Sequence, residues 1–181
     1  MKKKIAILGS TGSIGKSTVQ IIKNNLKDFD VIAISTNKNI KEIYKQAKQI
    51  KVKNIIISDE KSFLKFKKQF NEKKIRVFRN HLEFKKILKK KVDYTMCSIS
   101  GLEGLIPTLD AIKYSKTVGI ANKETIICGW SLIEKELNKN KTNFIPIDSE
   151  HFSLWKLIEN TNNKDLDSIY ITASGGPFLN K

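Results

Sequence analysis

The sequence predicts an α/β fold: a doubly wound, mostly parallel sheet with helices on both faces. Three observations carry this. Short β-rich apolar runs alternate with amphipathic stretches along almost the whole chain. The first run ends in three glycines spaced three apart, and a helical pattern follows at once. No internal repeat and no Pro/Gly/Ser-rich linker interrupts the alternation. Such alternation favours parallel strands joined by right-handed helical crossovers, with ligands at the carboxyl ends of the strands.

The predicted strands are Ile5 to Leu8, Val31 to Ile34, Asn54 to Ile57, Ile75 to Phe78, Tyr94 to Ile99 and Val118 to Ala121, with a later pair at Phe144 to Ile147 and Ile169 to Thr172. Between them, apolar residues recur at helical spacing in Ser17 to Asn25, Ile40 to Ile50, Phe63 to Phe70, Leu82 to Leu88, Leu105 to Ile112 and Thr125 to Leu137. The charge run from Lys85 to Lys91 reads as a solvated helix end.

Composition narrows the class. The chain has 181 residues, enough for one good core or a domain and the start of another. Lys and Arg number 34 against 18 Asp and Glu, a formal charge of +16. The lysines are spread along the whole chain and no aromatic-interleaved basic stripe is present, so the reading is no nucleic acid and no membrane, but a field that attracts phosphorylated ligands; a basic nucleic-acid-binding domain is the alternative. Cys97 and Cys128 lack CxxC spacing and read as core-sized residues of a reducing, cytoplasmic compartment. The apolar run after Met1 is too short for a signal peptide or a membrane span and reads as the first strand.

Four clusters carry chemistry. The first is Gly9-Ser10-Thr11-Gly12-Ser13-Ile14-Gly15. Gly12 allows the backbone close to an anion, Gly15 allows the helix to pack on the strand, and the free N–H groups and helix dipole face a phosphate. The dinucleotide fingerprint wants Gly-x-Gly-x-x-Gly, and Ser10 makes this a variant. The triphosphate loop is matched at its end by Gly15-Lys16-Ser17, but Gly9 lies one residue too far back, so a dinucleotide is favoured over a nucleotide triphosphatase. At the end of the second strand, Ile34-Ser35-Thr36-Asn37-Lys38-Asn39 has no carboxylate before Glu42. Hydroxyls, amides and a lysine suit a ribose 2′-phosphate, so NADPH is expected over NADH; a polar turn and helix cap is the alternative.

The second cluster, Asn122-Lys123-Glu124, follows a strand and opens a helix. Asn can hydrogen-bond a ribose and Lys can bind an anion or polarise a carbonyl, although Asn is also a good N-cap and Lys-Glu is ordinary helix surface. The third is Pro146-Ile147-Asp148-Ser149-Glu150-His151. On an extended backbone the carboxylates of Asp148 and Glu150 face one way and could hold Mg²⁺ or Mn²⁺; an isolated Asp-x-Glu more usually faces solvent. His151 reads as a residue supporting the ligands from behind or starting a helix, rather than as a ligand itself. The fourth, Thr172 to Phe178, places Ser174 before two glycines, as a phosphate or hydroxyl site or as a tight turn.

Taken in order, Ile7 to Gly15, Gly104-Leu105-Ile106-Pro107-Thr108-Leu109, Ala121 to Glu124, Pro146 to His151 and Ser174-Gly175-Gly176-Pro177-Phe178 resemble the 1-deoxy-D-xylulose 5-phosphate reductoisomerase family from end to end of the chain. The resemblance implies a Rossmann-like NADP-binding domain over residues 1–147, and over 148–181 the beginning of an α+β catalytic, metal-binding domain. It implies that Thr11, Gly12, Ser13 and Ile14 hold the pyrophosphate, that Asn37, Lys38 and Asn39 flank the 2′-phosphate, and that Asn122 and Glu124 contact NADPH. Family members often carry Gly where Asn37 stands. By the same resemblance Asp148 and Glu150 are two of three metal carboxylates and act with Lys123 in catalysis, while Lys123, Ser149, Glu150 and Ser174 bind substrate. The implied reaction is rearrangement of 1-deoxy-D-xylulose 5-phosphate on the metal, then hydride transfer from NADPH, giving 2-C-methyl-D-erythritol 4-phosphate in non-mevalonate isoprenoid synthesis. The complete protein would be a homodimer. Because the third carboxylate and the lid of the family lie beyond the last matching motif, the chain reads as an N-terminal piece that binds NADPH without turning over alone.

Overall fold

Seven parallel strands in the order β4-β3-β2-β1-β5-β6-β7 form one sheet. The structure, a computed structural model, describes residues 1–70, 74–88 and 90–170. The strands are β1 (Lys3–Leu8), β2 (Phe29–Thr36), β3 (Asn54–Ile57), β4 (Arg76–Phe78), β5 (Val92–Cys97), β6 (Ser115–Ile120) and β7 (Asn143–Pro146). The helices are α1 (Ser13–Asn24), α2 (Ile40–Gln49), α3 (Glu60–Gln69), α4 (Phe84–Ile87), α5 (Leu105–Lys113), α6 (Lys123–Asn140) and α7 (Ser149–Ile158). The order runs outward one way from β1 and the other way from β5, so the doubly wound reading holds, with its switch point between those two strands.

The two faces follow from the period of two in β1. Ile5 and Ile7 bury against one layer with Val19, Ile43 and Phe66 of α1, α2 and α3. Ala6 and Leu8 point the other way, into a layer with Phe84, Ile112 and Ile133 of α4, α5 and α6. A strand covered on both faces can be apolar throughout, as the four fully buried residues Asn54 to Ile57 of β3 nearly are.

Three elements depart from the sequence reading. The helix expected over Leu82 to Leu88 is a 3-10 turn, His81–Glu83, followed by the single turn of α4; the Lys-rich segment after it has too little apolar surface to extend it. The helix α7 was not foreseen. The strand expected over Ile169 to Thr172 is absent at Ile169 and Tyr170, which are irregular and exposed, and its other half lies outside the described residues. Cys97 is buried, but Cys128 is exposed on α6, so only the first is a core residue. Among the described residues, no helix is long and apolar enough to cross a membrane.

Candidate functional site

Because every strand is parallel, all seven carboxyl ends lie on one rim, and the predicted clusters meet there. The glycine turn after β1 is built from its first residue. Gly9 has φ +78°, and a Cβ on it would stand 2.6 Å from the Ser98 carbonyl oxygen, so only glycine fits. Its N–H donates to Ser35 Oγ at 2.9 Å, Ser10 N–H donates to Ser35 O at 2.9 Å, and the Thr11 and Thr36 hydroxyls share a hydrogen bond of 2.7 Å. The hydroxyl pair at the end of β2, expected beside a phosphate, is therefore engaged in pinning the turn to the neighbouring strand.

Past the turn, α1 begins at Ser13 behind Gly12, with no side-chain cap and no acidic residue in its first turn. The other described helices of ten residues or more are each capped, by Asn39, Asp59, Asn122 and Asp148. Thus α1 presents open N–H groups and an uncompensated dipole at the rim, a cradle for an anion. Gly15-Lys16-Ser17 lies inside this helix rather than in a loop, with Gly15 pressed on the turn backbone and Ser17 Oγ bonded to Ser13 O. With Gly9 one residue too far back for a triphosphate loop, that alternative is not favoured.

Two clefts flank the turn. One of about 340 Å³ runs along the β2 and β3 side, lined among others by Thr11, Gly12, Asn37, Ser58, His81 and Pro107. A second of about 160 Å³ lies on the β6 side, between Ser13, Ile14, Ala121, Asn122 and Glu124. Ser98, Ile99 and Ser100, just after β5, form a wall common to both. The sequence reading missed these residues, together with Ser58 and His81. The available signal was Ser-x-Ser directly after the strand that pairs with β1.

Of the residues expected at a 2′-phosphate, Asn37 lines the larger cleft, while Lys38, next to it in the chain, is exposed and not among the lining residues. Asn39 instead caps α2, its side chain accepting from Glu42 N–H at 3.2 Å, which is the alternative the sequence left open. Asn122 is 6% exposed and heavily engaged. Its Nδ2 donates to Ile99 O and Gly101 O, each at 2.6 Å, and its Oδ1 accepts from Thr125 N–H at 3.2 Å. It holds the common wall in place and caps α6, whose first residue, Lys123, is exposed.

The carboxylate pair needs a correction. β7 ends at Pro146, so Asp148 and Glu150 do not share one extended strand: Asp148, itself extended, is the N-cap of α7, and Glu150 lies in its first turn. Asp followed by an acid two residues on is a helix start as much as a strand end. The two groups are still neighbours. Asp148 Oδ1 accepts from His151 N–H at 3.0 Å and meets the His151 ring at Nδ1. Burial pushes the Asp148 carboxyl up, but the His151 contacts together outweigh it and hold it below the usual range. Glu150 is lowered by its own backbone N–H and the Ser149 hydroxyl, with help from the Lys123 ammonium and opposition from Asp148. Lys123, Asp148, Ser149 and Glu150 thus form one electrostatic group on the rim. Asp148 Oδ2 is buried without a hydrogen-bond partner. Such an orphaned oxygen fits a site awaiting a hard cation. Among the described residues, no group of three or more acidic, His or Cys side chains is assembled. Ser174 lies outside the described residues.

Comparison with known proteins identifies the family to which the chain is similar. The family model for 1-deoxy-D-xylulose 5-phosphate reductoisomerase matches residues 5–129, and that for the C-terminal domain of the same enzyme matches 144–181. The chain is 54% identical over 180 residues to the 1-deoxy-D-xylulose 5-phosphate reductoisomerase of Pelagibacter ubique, covering 98% of this chain and 46% of that protein. It is 36% identical to that of Clostridium acetobutylicum, over 99% of this chain and 47% of that one. The structure of the Zymomonas mobilis enzyme in complex with NADPH superposes with a TM-score of 0.89 at 33% identity, over 98% of this chain and 47% of that chain. The chain spans about half the length of the curated relatives it matches.

Proposed function

We propose, because this chain belongs to the 1-deoxy-D-xylulose 5-phosphate reductoisomerase family, that it holds NADPH and part of a divalent-metal site for conversion of 1-deoxy-D-xylulose 5-phosphate to 2-C-methyl-D-erythritol 4-phosphate. The observation that supports this most directly is the shared rim. The open N-terminus of α1 and the orphaned Asp148 Oδ2 lie at carboxyl ends of the same sheet. Three strand spacings separate β1 from β7, about 14 Å.

In this reading Thr11, Gly12, Ser13 and Ile14 take the pyrophosphate through the open N–H groups at the start of α1, Gly12 serving by its missing side chain because its own N–H donates to Gly9 O at 3.1 Å; Asn37 and Lys38 take the 2′-phosphate, with Asn39 fixing the helix behind them. Asn122 and Glu124 position the nicotinamide half in the smaller cleft. Asp148 and Glu150 supply two oxygens to Mg²⁺ or Mn²⁺, and Lys123, Ser149 and Ser174 orient the sugar phosphate. Bound NADPH supplies hydride, and the bound cation supplies Lewis acidity toward the substrate oxygens. Asp148 and Glu150 would present the cation, and Lys123 its ammonium, to the carbonyl and neighbouring hydroxyl oxygens of the substrate, which would orient the reacting carbon toward the nicotinamide. Residues 1–147 form the cofactor domain and 148–181 begin the catalytic one. The complete enzyme is a cytoplasmic homodimer.

Titration with NADPH, NADH and ATP, followed by the tryptophan and nicotinamide fluorescence, tests the cofactor assignment. Saturable NADPH binding, weaker NADH binding and no competition by ATP are expected. ATP binding without NADPH binding would reverse the assignment. Metal-dependent oxidation of NADPH by the full-length protein, with 1-deoxy-D-xylulose 5-phosphate and with neither substrate nor metal omitted, tests the reaction.

A further inference from the structure

We propose that His81 reads the adenine of the bound dinucleotide, its Nε2 accepting a hydrogen bond from the exocyclic amine. The inference rests on the NADPH reading above and extends it to a residue that none of the cofactor motifs includes.

The argument starts from where the base must go. The glycine turn takes the pyrophosphate, and the Asn37-Lys38 corner takes the ribose phosphate. The base carried by that ribose then enters the larger cleft, between the ends of β2 and β3 on one side and α5 on the other. Ile99 and Pro107 supply flat apolar walls, Ser58 a polar edge, and His81 carries the one aromatic ring among the described lining residues.

The ring is held rather than free. It is 9% exposed and stacks on Phe84 at 6.2 Å between centroids, and Phe84 in turn stacks on Tyr114. Burial pushes its pKa down to about 4, against an opposing pull from Asp110, so the imidazole is neutral at physiological pH. A neutral imidazole has one N–H and one lone pair.

Two orphaned atoms decide which nitrogen carries the proton. His81 Nδ1 and Asp110 Oδ2 are both buried without a hydrogen-bond partner. Asp110, its Oδ1 paired with Lys113 Nζ at 3.0 Å and its Oδ2 without a hydrogen bond, pulls a proton toward the ring, and in this proposal the proton sits on the buried Nδ1. The lone pair then belongs to Nε2, which the cleft alone can satisfy. Adenine offers an amine donor on its edge; hypoxanthine offers a carbonyl acceptor in the same place. An acceptor at Nε2 distinguishes them, because two facing acceptors leave both unpaired.

The experiment compares dissociation constants of NADPH and its hypoxanthine analogue for the wild-type protein, His81→Phe and His81→Gln. The wild type should prefer the adenine form by about fivefold, the worth of one hydrogen bond. His81→Phe keeps the stack on Phe84 but should bind the two forms equally. His81→Gln, which retains an acceptor, should recover part of the preference. A residue that merely props up the fold would weaken both ligands alike and leave their ratio unchanged. Equal wild-type affinity for the two forms, or an undiminished preference in His81→Phe, overturns the proposal. Absence of any NADPH binding by the wild type overturns the cofactor reading itself, a different result from NADPH binding without base preference.

Discussion

A Cβ on Gly15 would stand 2.2 Å from the carbonyl oxygen of Gly9 and 2.5 Å from the Cα of Ser10. The third residue of α1 therefore rests backbone on backbone against the turn that launches the helix. That contact sets the distance from the helix N-terminus to the rim.

Gly15→Ala should destabilise the protein by about 3 kcal/mol or more, since only a backbone shift can relieve the overlap. Gly12→Ala meets no contact shorter than 3.4 Å and needs no unusual φ, so its stability should change little. Its added methyl would nevertheless stand beside the open N–H groups of α1. Denaturant melts should separate the two variants, and NADPH titration should show a loss in both. A stable Gly15→Ala with a normal melt is the contrary result.

Lys38 is exposed next to Asn37, which lines the larger cleft, and its ammonium also acts on the Asp59 carboxylate. Lys38→Glu should weaken NADPH binding tenfold or more by placing a negative charge beside the 2′-phosphate; about 1.4 kcal/mol gives that factor. NADH binding should change far less. Equal losses for the two cofactors would show that the residue acts through the loop and not through the phosphate.

Asn122→Asp isolates the clamp on the common wall. Asp caps a helix as well as Asn does, so α6 keeps its start. The two N–H donors to Ile99 O and Gly101 O are lost, and a carboxylate oxygen faces two carbonyls at close range. A loss of about 2–3 kcal/mol in stability is expected, with weakened NADPH binding. Hydrogen exchange should rise at residues 99–101 before it rises elsewhere.

Asp148→Asn gives the matching test on the other cluster. The amide can still accept from His151 N–H, so helix stability should fall by less than about 1 kcal/mol. The charge offered to a cation is gone. Mn²⁺ binding, read by its electron paramagnetic resonance signal, should weaken at least tenfold in this variant and in Glu150→Gln. Unchanged Mn²⁺ affinity in both would remove these residues from the metal site.

His81 makes stability depend on acid. Its folded pKa, about 4, lies below the ordinary histidine value of 6.5, so between those values the unfolded chain binds the extra proton. The stabilising effect is complete above about pH 6.5 and is lost progressively as the pH falls toward 4. A shift of this size corresponds to roughly 3 kcal/mol. Melting curves across that window should be flatter for His81→Phe than for the wild type.

What the sequence determined follows from local rules. Alternating apolar runs place β1, β2, β3, β5, β6 and β7 within a few residues, because a strand buried on both faces must be apolar whatever its neighbours are. The glycine spacing marks the turn, because Gly9 needs a positive φ and Gly15 a close approach, and both are properties of single residues. The tertiary structure decided what each polar group does. Ser35, Thr36, Asn39 and Asn122 suit a ligand by type, yet their partners are other groups of the protein, the Thr11 hydroxyl for Thr36 and backbone atoms for the other three, several of them brought near only by strand pairing. Asp148 and Glu150 come together through a helix start rather than a strand, since the backbone turns just after Pro146. His81 and Asp110 are 29 positions apart, and only packing of α5 over the turn after β4 lets one act on the other. Propensity acts along the chain, whereas hydrogen-bond partners and fields are fixed by proximity in space, and that proximity exists only once the sheet has formed.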